Sequence, residues 1–155
     1  MAASKKNKKI KQKEIPKGKS IAQGGDPEQY YSQNPAWTFA NVDQEMWCFS
    51  QEHIGDAIWT EILPRLKSYE TMTWAEIFVK DKKQNHSIDL IELNKVAQDR
   101  LAKKYIEAES VMSLRLNGTH RLYGYMTGRI FNILWYDDGH GNNDDCVCKS
   151  VPKHT

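Results

Sequence analysis

Arg115, Arg121, Tyr123, Tyr125, Asn132 and Tyr136 fall within one 27-residue stretch, residues 111–137, with the sequence VMSLRLNGTHRLYGYMTGRIFNILWYD. A guanidinium presents a planar fork of donors that matches phosphate oxygens, and a tyrosine ring offers a face for a nucleobase. Two arginines held side by side repel, and an anion placed between them reverses the sign of that interaction. Side chains of these types on one exposed surface suit a nucleic-acid ligand. His140 follows the stretch closely, and His86 precedes it on the far side of a helical pattern, so either can approach such a surface. The bland reading of the same residues is a solvated sheet face whose long side chains cover apolar neighbours.

What places them together is strand pairing. Three runs rich in β-branched and aromatic residues are separated by Asn117-Gly118 and Thr127-Gly128, the pattern of a three-stranded antiparallel meander. A two-residue Asn-Gly loop would mix apolar and charged residues on both faces. A three-residue loop, Asn117-Gly118-Thr119, sets Leu114 opposite Leu122 and Arg115 opposite Arg121. A two-residue turn at Thr127-Gly128 then sets Leu122 opposite Ile133, Gly124 opposite Phe131 and Tyr123 opposite Asn132. Register follows the buried face. The expected core face carries Met112, Leu114, Leu122, Phe131, Ile133 and Trp135. The expected open face carries Arg115, Arg121, Tyr123, Tyr125, Asn132 and Tyr136, with His140 if the strand continues.

The net charge of +2 conceals a segregation. Residues 1–25 hold eight lysines (among them Lys5, Lys6, Lys8 and Lys9) against Glu14, giving +7, and the remainder carries −5. Such an arm has almost nothing to bury and is expected to be disordered, adding unspecific attraction for polyanions. Residues 26–155 are expected to form a single α+β domain. Three cysteines, Cys48, Cys146 and Cys148, have no framework spacing, and no signal peptide is recognisable, so a reducing cytoplasm is expected. No apolar run approaches the ~18 residues that cross a bilayer. His140 with Cys146 and Cys148 lacks a fourth zinc ligand, and the acidic loop around Gly139 and Gly141 lacks the calcium-loop order, so no metal and no cofactor are expected.

Ahead of the meander, Asp26-Pro27-Glu28 reads as a helix start, and residues 46–50, MWCFS, read as a short strand. Ser50 is a cap candidate, followed by a helical stripe of Ile54, Ile58, Ile62 and Leu66 that Pro64 kinks or restarts. Thr73-Trp74-Ala75-Glu76 fits a capping box. Ser87 is read as the cap of the longest helix, residues 88–107, with Leu90, Leu93, Ala97, Leu101 and Tyr105 on one face. His120 shares the core-face parity and reads as a structural histidine at a turn. The expected fold is α+β: a short N-terminal strand, two to three helices, then the meander, with the long helix against its apolar face.

That order resembles the RelE/ParE superfamily of small bacterial toxins over roughly residues 46–140. The closing RLNGTHRLYGYMTGRIFNILWYDDGH resembles their terminal hairpin, and MWCFS with the following helix resembles their opening strand and first helix. Residues 73–78 add a helix to that plan, and the N-terminal arm is longer. The resemblance implies an endoribonuclease acting on mRNA, at the ribosome in some members, by attack of the 2′-hydroxyl on the adjacent phosphate. Position by position, it implies that Arg121 holds the phosphate and Arg115 assists. Tyr136 or His140 would take the acid/base position, with His86 a second-rank candidate. Tyr123, Tyr125 and Asn132, with the arm lysines, would contact RNA. The partners implied are RNA or the ribosome and an antitoxin protein. The same fold also serves non-catalytic RNA- or protein-binding modules, including ParE-like inhibitors of a protein target such as gyrase.

Overall fold

Gly118 (φ 53°) and Gly128 (φ 60°) adopt the left-handed backbone that glycine alone takes without a Cβ penalty, and each closes a hairpin. In the computed structural model, which describes residues 27–108, 110–139 and 146–148, these turns build the expected meander. In chain order the strands are β1 (Ala36–Thr38), β2 (His86–Asp89), β3 (Ser110–Asn117), β4 (His120–Thr127) and β5 (Ile130–Asp137). They form one five-stranded sheet in the order β1-β5-β4-β3-β2.

Between β3 and β4 the register is the expected one, with Leu114 opposite Leu122 and Arg115 opposite Arg121. An irregularity after Arg115 brings Asn117 opposite His120 and leaves Gly118-Thr119 as the turn. Between β4 and β5 the expectation fails. The turn is Gly128-Arg129, one residue later, so Thr127 faces Ile130, Tyr125 faces Asn132 and Gly124 faces Ile133. Leu134 is then an extra residue, because the next pair is Tyr123–Trp135. Such a bulge breaks the alternation of side chains. Trp135 joins Leu134, Tyr123 and Tyr125 in one core, while Tyr136 joins Leu114, Leu122, Phe131 and Ile133 in the other. Trp135 and Tyr136 have therefore each exchanged the face expected of them.

The N-terminal strand also lies elsewhere. Residues 46–50 are loop, with Trp47 at φ 46°, and β1 is instead Ala36–Thr38, parallel to the start of β5. The loop nonetheless covers the β5 edge: Asp43 N donates to Leu134 O (2.9 Å) and Tyr136 N donates to Trp47 O (3.0 Å). Residues 88–107 are not one helix. β2 extends the meander by pairing with β3, a short 3₁₀ turn follows, and the helix α4 is only Lys95–Lys103. Its cap is Asn94, whose side chain accepts from Val96 N, rather than Ser87. At its other end Tyr105 takes φ 57°, and Ile106 N donates to Leu101 O at 3.1 Å, closing the last turn.

Among the described residues the other α-helices are α1 (Pro27–Tyr30), α2 (Gln51–Ile54) and α3 (Leu63–Tyr69), and Glu76–Lys80 is a π-helical segment. Ser50 caps α2 as expected, accepting from His53 N. The Thr73 capping box also forms, with Glu76 Oε1 accepting from Thr73 N at 2.9 Å. Pro64 has no N–H to give, and the turn before it widens to a π-helical segment, Ile58–Ile62, in which Leu63 N donates to Ile58 O.

The class is α+β, with a core on each side of the sheet. Ile62, Leu66, Trp74, Ile77 and Phe78 pack on Leu114, Leu122, Phe131 and Ile133. Leu93, Ala97 and Leu101 pack with Val111, Tyr123, Leu134 and Trp135. Each large side chain so buried contributes about 1.5–3 kcal/mol. α4 thus covers the face expected to be open, and the π segment with α3 covers the face expected to receive α4.

Candidate anion site at the end of the sheet

Arg115 and Arg121 face each other across β3 and β4, both half-buried. Arg121 Nη1 donates to Gly118 O (2.7 Å) and His120 O (3.1 Å), so the hairpin turn fixes its guanidinium. Arg115 Nη1 donates to Gln84 Oε1 at 2.6 Å. Asp137 is paired with Arg121 in the sheet register. Its carboxylate nevertheless turns away, accepting from Gly139 N (2.9 Å) and Val147 N (2.7 Å). Among the described residues no carboxylate forms an ion pair with either arginine; the ion pairs present are Lys95–Asp99, Arg100–Asp43 and Arg100–Glu45. Burial lowers the pKa of Arg121, and the like charge of Arg115 adds to that lowering. The Asp137 charge acts on Arg121 in the opposite sense, without an ion pair between them.

Neighbouring pairs place further residues on this face. His86 lies opposite Ser113, and Ser113 opposite Tyr123, in the row beside the arginines. His86 is exposed there. Tyr123 is fully buried, with its hydroxyl 3.4 Å from Cys148 Sγ. Burial drives the phenol pKa of Tyr123 strongly upward, and that of Tyr125 likewise.

The expected stacking platform is not a surface. Tyr123, Tyr125 and Asn132 are at most 6% exposed. Asn41 Nδ2 donates to the Tyr125 hydroxyl (3.2 Å) and to Asn132 Oδ1 (3.4 Å), and Asn132 Nδ2 donates to Tyr125 O (3.1 Å). These groups satisfy one another inside the core beneath α4, so they present no face on which a base can stack.

Tyr136 lies across the sheet from Arg121 because of the Leu134 bulge. Its hydroxyl is hydrogen-bonded to His120 Nδ1, and its backbone oxygen to His53 Nε2 at 2.8 Å. The two imidazole rings flank the phenol, with centroids at 5.4 Å for His53 and 5.7 Å for His120. Burial first, then the charges of Asp138 and Glu61, raise the Tyr136 pKa. His53 is the residue beside Tyr136 that sequence reasoning missed. His120 carried the correct parity for this face, but its partner Tyr136 was assigned to the other one.

Arg115, Arg121 and His86 therefore share one face of the sheet, His86 on the edge strand β2 opposite Ser113, and Tyr136 lies on the other face. His140 and the arm residues Lys5, Lys6, Lys8 and Lys9 lie outside the described residues. Among the described residues no three His, Cys, Asp or Glu side chains are grouped to hold a metal, and no helix is long and apolar enough to cross a membrane. Compared with models of known protein families, with curated proteins and with solved structures, the chain matches none.

Proposed function

We propose that this protein binds RNA by clasping a backbone phosphate between Arg115 and Arg121, and that it cleaves the strand there as a RelE-like endoribonuclease. The observation that carries the reading is the opposed, half-buried arginine pair with no carboxylate partner among the described residues. In the reaction the 2′-oxygen bonds to the adjacent phosphorus, the bond to the 5′-oxygen breaks, and a 2′,3′-cyclic phosphate remains. Arg121 and Arg115 stabilise the charge that develops on the phosphorane oxygens. One group removes the 2′-proton and one supplies a proton to the 5′-oxygen. His86, exposed in the adjacent row, is our candidate for one of these roles, and His140 is our candidate for the other. Tyr136 points into the opposite core and does not serve the same phosphate. The cytoplasmic setting and an antitoxin partner belong to this reading.

The test is incubation of the purified protein with RNA, with and without ribosomes, followed by sizing of the products and end-group analysis. Cyclic phosphate ends that disappear in Arg121→Ala support the reading. RNA binding that depends on Arg121 without cleavage leaves a non-catalytic RNA-binding module. A second reading, a ParE-like binder of a protein target, is favoured by Trp59 and Leu63, 68% and 41% exposed and four residues apart on one helical run. Absence of both cleavage and Arg121-dependent RNA binding overturns the RNA reading and leaves the arginine face as a solvated one.

A further inference from the structure

Glu61 and Arg65 stand four residues apart on one helical run, the spacing and order at which glutamate and a basic residue normally pair. Here they do not pair. Arg65 reaches over to the sheet, where Nε donates to Leu116 O at 2.8 Å and the guanidinium lies 5.7 Å from the Tyr69 ring centroid. Glu61 Oε1 is buried and has no hydrogen-bond partner among the described residues. A cleft of about 220 Å3 separates the helical run from the hairpin end, lined by both side chains with Ser68 and Asn117.

A carboxylate oxygen without a donor and, four residues on along the same run, a guanidinium with unused terminal N–H groups call for a complementary ligand. It must be small and planar, with adjacent donors on one edge and adjacent acceptors on another. Guanine has that arrangement: N1–H and the N2 amino group meet a carboxylate, while O6 and N7 accept from an arginine fork. Adenine and cytosine each turn a ring-nitrogen lone pair toward the carboxylate, and uracil offers a single N–H between two carbonyls. We propose that this cleft is a guanine-binding pocket, with Glu61 reading N1–H and the N2 amino group and Arg65 the adjoining O6/N7 edge. The proposal rests on the RNA reading above and adds the base that the protein prefers.

The test is titration of the full chain with guanosine, adenosine, cytidine and uridine 5′-monophosphates, followed by backbone NMR. Guanosine monophosphate should bind at least about ten-fold tighter than the others, the usual worth of a bidentate base contact. Its shifts should centre on Thr60, Ser68 and Asn117. Glu61→Gln, which turns a donor toward guanine N1–H, should erase the preference. Glu61→Leu should erase it too while raising the melting temperature, because a buried acceptor without a donor is removed. Equal affinity for the four nucleotides, or a preference that survives Glu61→Gln, overturns the proposal, as does a lowered melting temperature in Glu61→Leu. The arginine site is separated by repeating the titration in Arg121→Ala. A guanine preference that persists there upholds the pocket, even if RNA cleavage is never seen. A preference lost there assigns the nucleotide to the arginine pair and overturns the pocket.

Discussion

Arg121 keeps its charge in a half-buried position because the hairpin turn feeds it two carbonyl oxygens, Gly118 O and His120 O, in place of a carboxylate. Under the proposed function, this leaves the cation free of an ion pair and able to take an exchangeable anion. Arg121→Ala is expected to lower the rate of RNA cleavage about 10²–10³-fold, the usual cost of one preorganised charge stabiliser, with the circular dichroism spectrum unchanged. Arg121→Lys should recover little of the loss, since an ammonium keeps the charge but not the bidentate fork. Equal activity in the lysine variant would count against a forked phosphate contact. Arg100 illustrates the opposite use of the same side chain. Its Nε and Nη2 donate to the two oxygens of Asp43 at 2.9 Å each, and Trp135 Nε1 adds a bond at 3.0 Å. Burial alone would raise the Asp43 pKa, but the bonds from Arg100, Trp135 and two backbone amides outweigh it and hold it below its ordinary value of 3.8. A depressed folded-state pKa means stabilisation that is present above the ordinary value and lost as pH falls through the lowered one. Asp137, whose carboxyl burial raises, contributes with the opposite sign. Asp43→Asn should therefore cost about 3 kcal/mol in urea unfolding at neutral pH, because it removes the buried carboxylate and leaves Arg100 with only the exposed Glu45 as a partner. The variant should also lose stability less steeply than the wild type in acid; parallel acid limbs would show that Asp43 does not carry that slope.

At the scale of elements, the β4–β5 hairpin decides which residues meet. Gly124 sits just before the Leu134 bulge, and a Cβ there would lie 2.1 Å from Asn132 O and 2.9 Å from the Phe131 ring. Backbone cannot yield by that amount without opening the ladder, so Gly124→Ala should destabilise the protein by about 3 kcal/mol. Hydrogen exchange in β4 and β5 should rise with it. Unchanged protection in that variant would mean that the two strands do not approach this closely. The helix α4 makes a milder case. Asn94→Ala removes the side-chain acceptor from Val96 N and should cost about 1 kcal/mol in thermal unfolding. The equivalent change at Ser87, exposed within β2, should cost less. The ranking of these two variants separates a helix that starts at Lys95 from one that starts at Ile88.

For the whole molecule, the charge is divided between an arm of +7 and a remainder of −5. If RNA is the ligand, deleting residues 1–25 should flatten the dependence of binding on salt, since fewer counterions are released, while leaving base preference intact. An unaltered salt slope would show that the arm lysines do not contact the polyanion. The sheet, by contrast, presents neither face to solvent along its centre, which confines any RNA contact to its ends, where the arginine pair and the Glu61 cleft lie.

The amino-acid sequence by itself determined the local pieces. Gly118 and Gly128 marked the two turns, the Ser50 and Thr73 caps formed where their side chains can reach the free N–H groups, and the Ile54–Ile58–Ile62–Leu66 stripe became core. Matching Leu114 to Leu122 was enough to oppose Arg115 and Arg121, because a slip of one residue would bury the charges. Tertiary structure decided the rest. A bulge is a contest between two strands over backbone pairing, and nothing in ILWYD signals that Leu134 is the extra residue. That single insertion sent Tyr136 away from Arg121 and toward His120. Likewise His86–Asp89 became a strand because β3 offered it an unpaired edge, and that pairing prevailed over a helical pattern in the same residues. Burial of the tyrosine face was settled in the same way. Whether an amphipathic sheet face meets water or a helix depends on where a distant segment packs, and α4 packed there.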